Sequence, residues 1–124
     1  MLSVKINKLD HSIGNKKILN NINLELEKDK IACILGPSGC GKTTLLKLIA
    51  GLFKVEKGEI LLDNKLVSSN NIHVKTEKRK IGFLFQDYAL FPHQTVKENL
   101  QFAIRDKSSS HTIDEIVDRY LIHI

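Results

Sequence analysis

Apolar and polar residues alternate from the start of the chain. Leu2, Val4 and Ile6 fall on even positions and Leu9 closes the run, so residues 2–9 predict a strand with one buried face. Residues 11–15 carry Gly14 and predict a turn. Ile18, Leu19, Ile22, Leu24 and Leu26 predict a second strand, antiparallel to the first. After a polar turn at residues 28–30 the pattern changes. Residues 31–35, IACIL, are apolar without a break, as in a strand buried on both faces of a parallel sheet. Residues 45–50, LLKLIA, predict a helix that Gly51 stops.

Further on, Lys57-Gly58 predicts a turn and residues 59–63 a strand. Asn64-Lys65 predicts a tight turn, from which Leu66-Val67 returns. Residues 68–76 are polar and loop-like, and residues 81–85, IGFLF, predict another buried strand. The loop that follows, residues 86–93, is unusually apolar. Thr95 and Glu98 form a capping box ahead of a stripe of Val96, Leu100 and Ala103. A polar linker at residues 105–110 leads to a second capping box, Thr112 and Glu115. Ile113, Ile116, Val117, Tyr120 and Leu121 then line one face of a predicted helix.

Between the apolar run and the first helix lies GPSGCGKTT: Gly36, Pro37, Ser38, Gly39, Cys40, Gly41, Lys42, Thr43 and Thr44. It fits G-x-x-x-x-G-K-[ST], the phosphate-binding P-loop, and stands at a strand-to-helix turn, where that mechanism needs it. A helix start offers unpaired N–H groups and partial positive charge to a triphosphate. Gly39 and Gly41 let the backbone curl and aim its amides inward. Lys42 brings a full charge to the β and γ oxygens, and Thr43 a hydroxyl for magnesium. A chance glycine-rich turn is the competing reading. The Lys-Thr ending and both flanks argue against it.

The chain has 124 residues, 42% hydrophobic and 27% charged, room for one domain at most. No apolar run reaches the length of a membrane span, and the N-terminus lacks a signal peptide's apolar segment, so a cytoplasmic location is expected. Net charge is +5, densest at Lys75, Lys78, Arg79 and Lys80. No aromatic residue interleaves with that cluster, so it is read as a solvated loop and no nucleic-acid partner is expected. Cys33 is expected to be a buried thiol in the apolar run, and Cys40 lies in the loop. Neither suggests a disulfide or a metal site.

Taken together, GPSGCGKTT with LLKLIAGL after it, the opening INLEL, then GEILLDNK, RKIGFLFQDYALFPH and TVKENLQF resemble the nucleotide-binding subunit of an ABC transporter. The likeness runs from about Val4 to Phe102 and is closest in look to importers of ferric iron, polyamines, sulfate or sugars. The resemblance implies an α/β fold with a P-loop NTPase (RecA-like) core. It would be incomplete, with an antiparallel β-subdomain in residues 1–30, the core to the Q-loop in 31–93 and the start of a helical subdomain in 94–124. It implies ATP and magnesium as ligands, a transmembrane permease and a second nucleotide-binding subunit as partners, and a peripheral place on the inner face of the membrane. Gln86 would touch magnesium and the attacking water. Tyr88, Leu90, Phe91 and His93 would face the permease.

The sequence also departs from that family. Ile13 stands where an aromatic ring usually stacks on adenine, and His11 is the only ring nearby. Ile60-Leu61-Leu62-Asp63 imitates a Walker B strand, but Asn64 follows where a glutamate is needed, so it is read as a decoy. No LSGGQ-type signature or switch histidine is found, and Ser108, His111 and His123 have no context for those roles. The resemblance therefore implies a fragment that binds nucleotide but does not hydrolyse it alone. A non-catalytic Mg-ATP module and an inert remnant docked on a membrane partner are the alternatives, with a small-molecule kinase more remote.

Overall fold

The alternating segments at the N-terminus fold into one long hairpin. In this computed structural model, which describes residues 1–86 and 90–103, β1 (Leu2–Ile13) pairs antiparallel with β2 (Lys16–Glu27). The turn is shorter than predicted: residues 11–13 continue β1, paired with β2, and only Gly14-Asn15 turns, with Gly14 at φ 60° as a tight hairpin requires. β3 (Lys57–Leu62) pairs with the other edge of β1, and β4 (Lys65–Ser68) pairs with β3. The sheet order is β2-β1-β3-β4, antiparallel throughout.

β1 keeps its face by breaking its own period. Ile6 and Leu9 are both fully buried although three residues apart, because the register shifts between them. Lys8, at φ 48°, makes the bulge. Gly58 lies opposite, where an added Cβ would come within 2.5 Å of the Lys8 carbonyl oxygen. Lys57-Gly58 is therefore the start of a strand and not the predicted turn: the glycine is there for close approach of two backbones. The next turn also moves by one residue. Asp63 and Asn64, both at positive φ, carry it, and Lys65 is already strand. Asp10 ties the middle of the sheet together. It accepts the Asn21 amide at 2.6 Å and pairs with Lys17 at 3.5 Å and Lys57 at 3.6 Å.

α1 (Lys42–Ala50) covers one face of this sheet. Leu45 and Leu48 join Ile6, Leu9, Leu19, Val55, Ile60, Leu62 and Val67 in a single apolar core. Gly51 ends the helix as predicted, at φ 85°. The Gly51 amide donates to Leu48 and the Leu52 amide to Lys47, the paired bonds of a Schellman stop.

Two predicted strands do not form. Residues 31–35 and 81–85 carry no ladder bonds and, apart from the half-buried Phe83, lie exposed, with Ile31 at 95%, Leu35 at 90% and Leu84 at 95%. A parallel strand depends on neighbours distant in sequence, and among the described residues the one sheet is the antiparallel one. Cys33 is exposed with its segment, not buried.

Residues up to Phe83 form one unit and those from Leu84 a second. In the second, α2 (Val96–Ala103) begins at the predicted capping box. The Thr95 amide donates to Glu98 Oε2 at 2.7 Å, and the Glu98 amide to Thr95 Oγ1 at 3.2 Å. The predicted helix of residues 112–121 lies outside the described residues.

Candidate phosphate-binding site

The nine residues 36–44 form one continuous turn into α1. Residues 36–40 are exposed, and Cys40 donates its amide to the Pro37 carbonyl at 3.3 Å. Gly39 at φ 81° and Gly41 at φ 101° give the turn its curl. Gly41 also sits tight on β2: an added Cβ would meet Ile18 Cγ2 at 2.8 Å and Leu19 Cδ2 at 3.0 Å. Gly36 leaves room for Cys40, whose Sγ stands 2.6 Å from where a Cβ would be. The loop is thus keyed to the sheet at one glycine and to its own cysteine at another.

Lys42 reaches back across the turn. Its Nζ donates to the Gly36 carbonyl at 2.6 Å and the Pro37 carbonyl at 2.8 Å, and lies 3.6 Å from Cys40 Sγ. Neutral carbonyls hold the ammonium there, and anionic oxygens are the stronger acceptors. The first turn of α1 has no acidic residue, and among the described residues no side chain caps its amides, which suits an anion there. Thr43 is exposed and Thr44 half-buried. This donor set fits the phosphates of a nucleotide with its magnesium.

The other predicted positions fall in different places. Ile13 is 55% exposed at the end of β1 and pairs with Lys16, two residues before the Ile18 that Gly41 touches. His11 is buried and stacks on Phe53 with ring centres 5.8 Å apart and planes 5° from parallel. Its ring is spent on the core, not offered to a base. In the Walker B look-alike, Ile60 and Leu62 are in β3, antiparallel to β1, and Asp63 is in the hairpin turn.

In the second unit Gln86 and Leu90 are exposed, and Phe91 and His93 lie in the turn before α2. Phe91 packs edge-on against Phe102 at 4.9 Å and His93 at 5.9 Å. Asn99 holds that turn from within α2. Its Oδ1 accepts the Phe91 amide at 2.9 Å and its Nδ2 donates to the Thr95 carbonyl at 2.9 Å. Tyr88 lies outside the described residues.

Sequence reasoning missed one residue of the basic cluster. Arg79 is not solvated but 5% exposed. Its guanidinium donates to Val74 O at 2.7 Å, Leu48 O at 3.3 Å, Ile49 O at 3.1 Å, Val67 O at 3.1 Å and Ser68 Oγ at 2.7 Å. Burial pushes its pKa down from the ordinary value, yet arginine stays charged. The one available signal is that Arg79 is the only arginine among lysines, the residue suited to carbonyls converging from several directions.

A P-loop of this geometry, entering a helix packed on a sheet, defines an α/β nucleotide-phosphate-binding fold of the P-loop NTPase class. The model of one family, described as ABC transporter, matches residues 19–123, and the chain belongs to that family. It is 43% identical to the spermidine/putrescine import ATP-binding protein PotA of Pasteurella multocida over 82% of this chain and 26% of that protein. It is 42% identical to the sulfate/thiosulfate import ATP-binding protein CysA of Pectobacterium atrosepticum over 86% of this chain and 31% of that one. Among solved structures, the dimeric ATP-binding cassette MJ0796 in a post-hydrolysis state with ADP and Pi superposes with a TM-score of 0.71. That match has 29% identity and covers 93% of this chain and 56% of that one. The chain therefore spans about a third or less of the length of these curated relatives.

Proposed function

We propose that this chain is the ATP-binding part of an ABC transporter ATPase subunit that serves solute import. We propose further that, taken alone, it binds Mg-ATP without turning it over. The observation that carries the reading is Lys42, held across a glycine-formed turn at a helix start with no acidic residue in its first turn. The amides of residues 39–44 would hold the phosphates, with Lys42 moving from carbonyls to phosphate oxygens. The Thr43 hydroxyl would ligate magnesium. Magnesium, when bound, would offset the charge of the phosphates. Ile13 would cover the adenine as an aliphatic lid, and Gln86 would approach the magnesium and the water.

Two import ATP-binding proteins among the relatives support the importer assignment. A permease on the inner face of the membrane and a second nucleotide-binding subunit are the partners that follow. Leu90, Phe91 and His93, exposed on the second unit, support a docking role toward the permease, and Tyr88 would join them. No helix among the described residues is long and apolar enough to cross a membrane, which suits a subunit that docks on one.

Phosphoryl transfer to water also needs a carboxylate that orients the water and another that steadies the metal, roles that the amide of Gln86 does not fill. The sequence has no Asp-Glu pair after an apolar run to supply them. Exposure of residues 31–35 and of most of 81–85 favours the related reading of a binding module whose turnover belongs to a larger assembly. Calorimetry with Mg-ATP tests the site: wild type releases heat on binding and Lys42→Ala loses at least about tenfold in affinity. Equal heat from both rejects the loop as the site. Phosphate release above background that disappears in Lys42→Ala rejects the non-catalytic half of the proposal.

A further inference from the structure

We propose that Arg79 is a positioning residue for the phosphate-binding loop: it grips the carbonyl end of α1, whose other end carries the loop. The inference rests on the nucleotide-binding reading above. It adds a residue far in sequence from the loop that sets where the loop stands.

The geometry is as follows. α1 has nine residues and so behaves as a rod of about 13 Å. Leu19 of β2 and Gly41 fix one end of that rod against the sheet. At the other end the Ile49 carbonyl has passed the last intrahelical donor, and Arg79 Nη1 supplies one at 3.1 Å. The same nitrogen reaches Leu48 O. Nη2 holds Val67 O and Ser68 Oγ of β4, and Nε holds Val74 O. One planar group thus welds the helix end to the sheet edge and to the loop beyond it. Gly51 completes the fit, since a Cβ there would overlap the guanidinium at 2.6–2.7 Å from Nε and Cζ.

An arginine is an expensive way to fill a core position. Burying a charge costs free energy unless its donors are all met, and among the described residues Arg79 makes no ion pair. Its compensation comes from neutral oxygens and from the negative end of the α1 dipole. An apolar side chain would fill the space at lower cost but would leave the helix end free to swing. A rotation of about 5° about that end moves the loop by about 1 Å, enough to spoil a set of amides aimed at one anion. Arg79 is not itself an anion ligand, because its donors are spent at the far end of the helix from Lys42.

The test uses the full chain with Arg79→Met, Arg79→Lys and Ser68→Ala. It reads Mg-ATP affinity by calorimetry and the Gly39 and Gly41 amide resonances by NMR, both well below the melting temperature. A role confined to stability lowers the melt and leaves these readouts where they were. The proposal expects both glycine resonances to move in Arg79→Met while those of Ile6 and Leu24 stay, with affinity down about tenfold. Arg79→Lys does not restore them, since one ammonium cannot span three backbone segments. Ser68→Ala moves them the same way by less. Unchanged glycine resonances in a folded Arg79→Met overturn the proposal, and if that variant does not fold, unchanged resonances in Ser68→Ala overturn it. If wild type ignores Mg-ATP while Arg79→Met still shifts the two glycines, the binding reading fails and the positioning role stands.

Discussion

At its first turn α1 leaves its amides open: the loop before it is exposed, that turn holds no acidic residue, and among the described residues no side chain caps it. At its last turn every donor-seeking carbonyl from Lys47 to Ile49 has a partner, from Leu52, Gly51 or Arg79. One helix of nine residues thus has a reactive end and a sealed end. On the proposed reading, the difference teaches that binding potential comes from what is left unpaired and that the held end is what makes it usable.

Substitutions at the two ends are the sharpest way to break that contrast. Gly41→Ala carries the largest expected effect. It forces an alanine to φ 101° and drives its Cβ toward Ile18 and Leu19, a cost of about 2–4 kcal/mol. Thermal melts and calorimetry on the same sample should show stability and Mg-ATP affinity falling together. Gly51→Ala comes next, at about 1–2 kcal/mol, since the guanidinium it meets is flexible enough to give way in part. Denaturant titration reads it. A Gly51→Ala chain as stable as wild type would mean that the sealed end is looser than its bonds indicate.

Smaller effects serve to sharpen the contrast. Thr95→Ala removes the capping box of α2 and should cost about 1 kcal/mol locally, seen as faster amide exchange in residues 96–99 with no change in Mg-ATP affinity. His73 gives the smallest effect. Loss of some hydration, then the charges of Arg79 and Lys54 nearby, hold its pKa below the ordinary 6.5. The folded chain therefore resists a proton that the unfolded chain accepts, so stability is full above pH 6.5 and declines as the pH drops from there toward the folded pKa. Melting temperatures across that interval should fall in wild type and fall less in His73→Ala.

How legible this was depended on the range of each interaction. The hairpin could be read because its alternation and its Gly14 turn are local. The P-loop and the Gly51 stop could be read for the same reason. The bulge at Lys8 could not: the period breaks because β3 presents Gly58 there, some fifty residues on, and a glycine in isolation reads as a turn. Residues 31–35 and 81–85 were misread from the opposite direction. Their apolar runs encode burial against partners, and a run cannot say whether those partners are at hand. Arg79 stayed hidden because a basic cluster reads as solvated, while the carbonyls that fix it lie 30 and 31 residues upstream.

The sheet has one further consequence. β2 ends at Glu27 and β3 begins at Lys57, and both flank β1. Everything from 28 to 56, loop and helix together, is an arch with both feet on one platform. Such an arch has a fixed span, so lengthening or shortening it by even a residue or two would have to be absorbed inside the arch. Grafting should therefore be tolerated at the Gly14-Asn15 tip, which carries no such load, and resisted between the two feet.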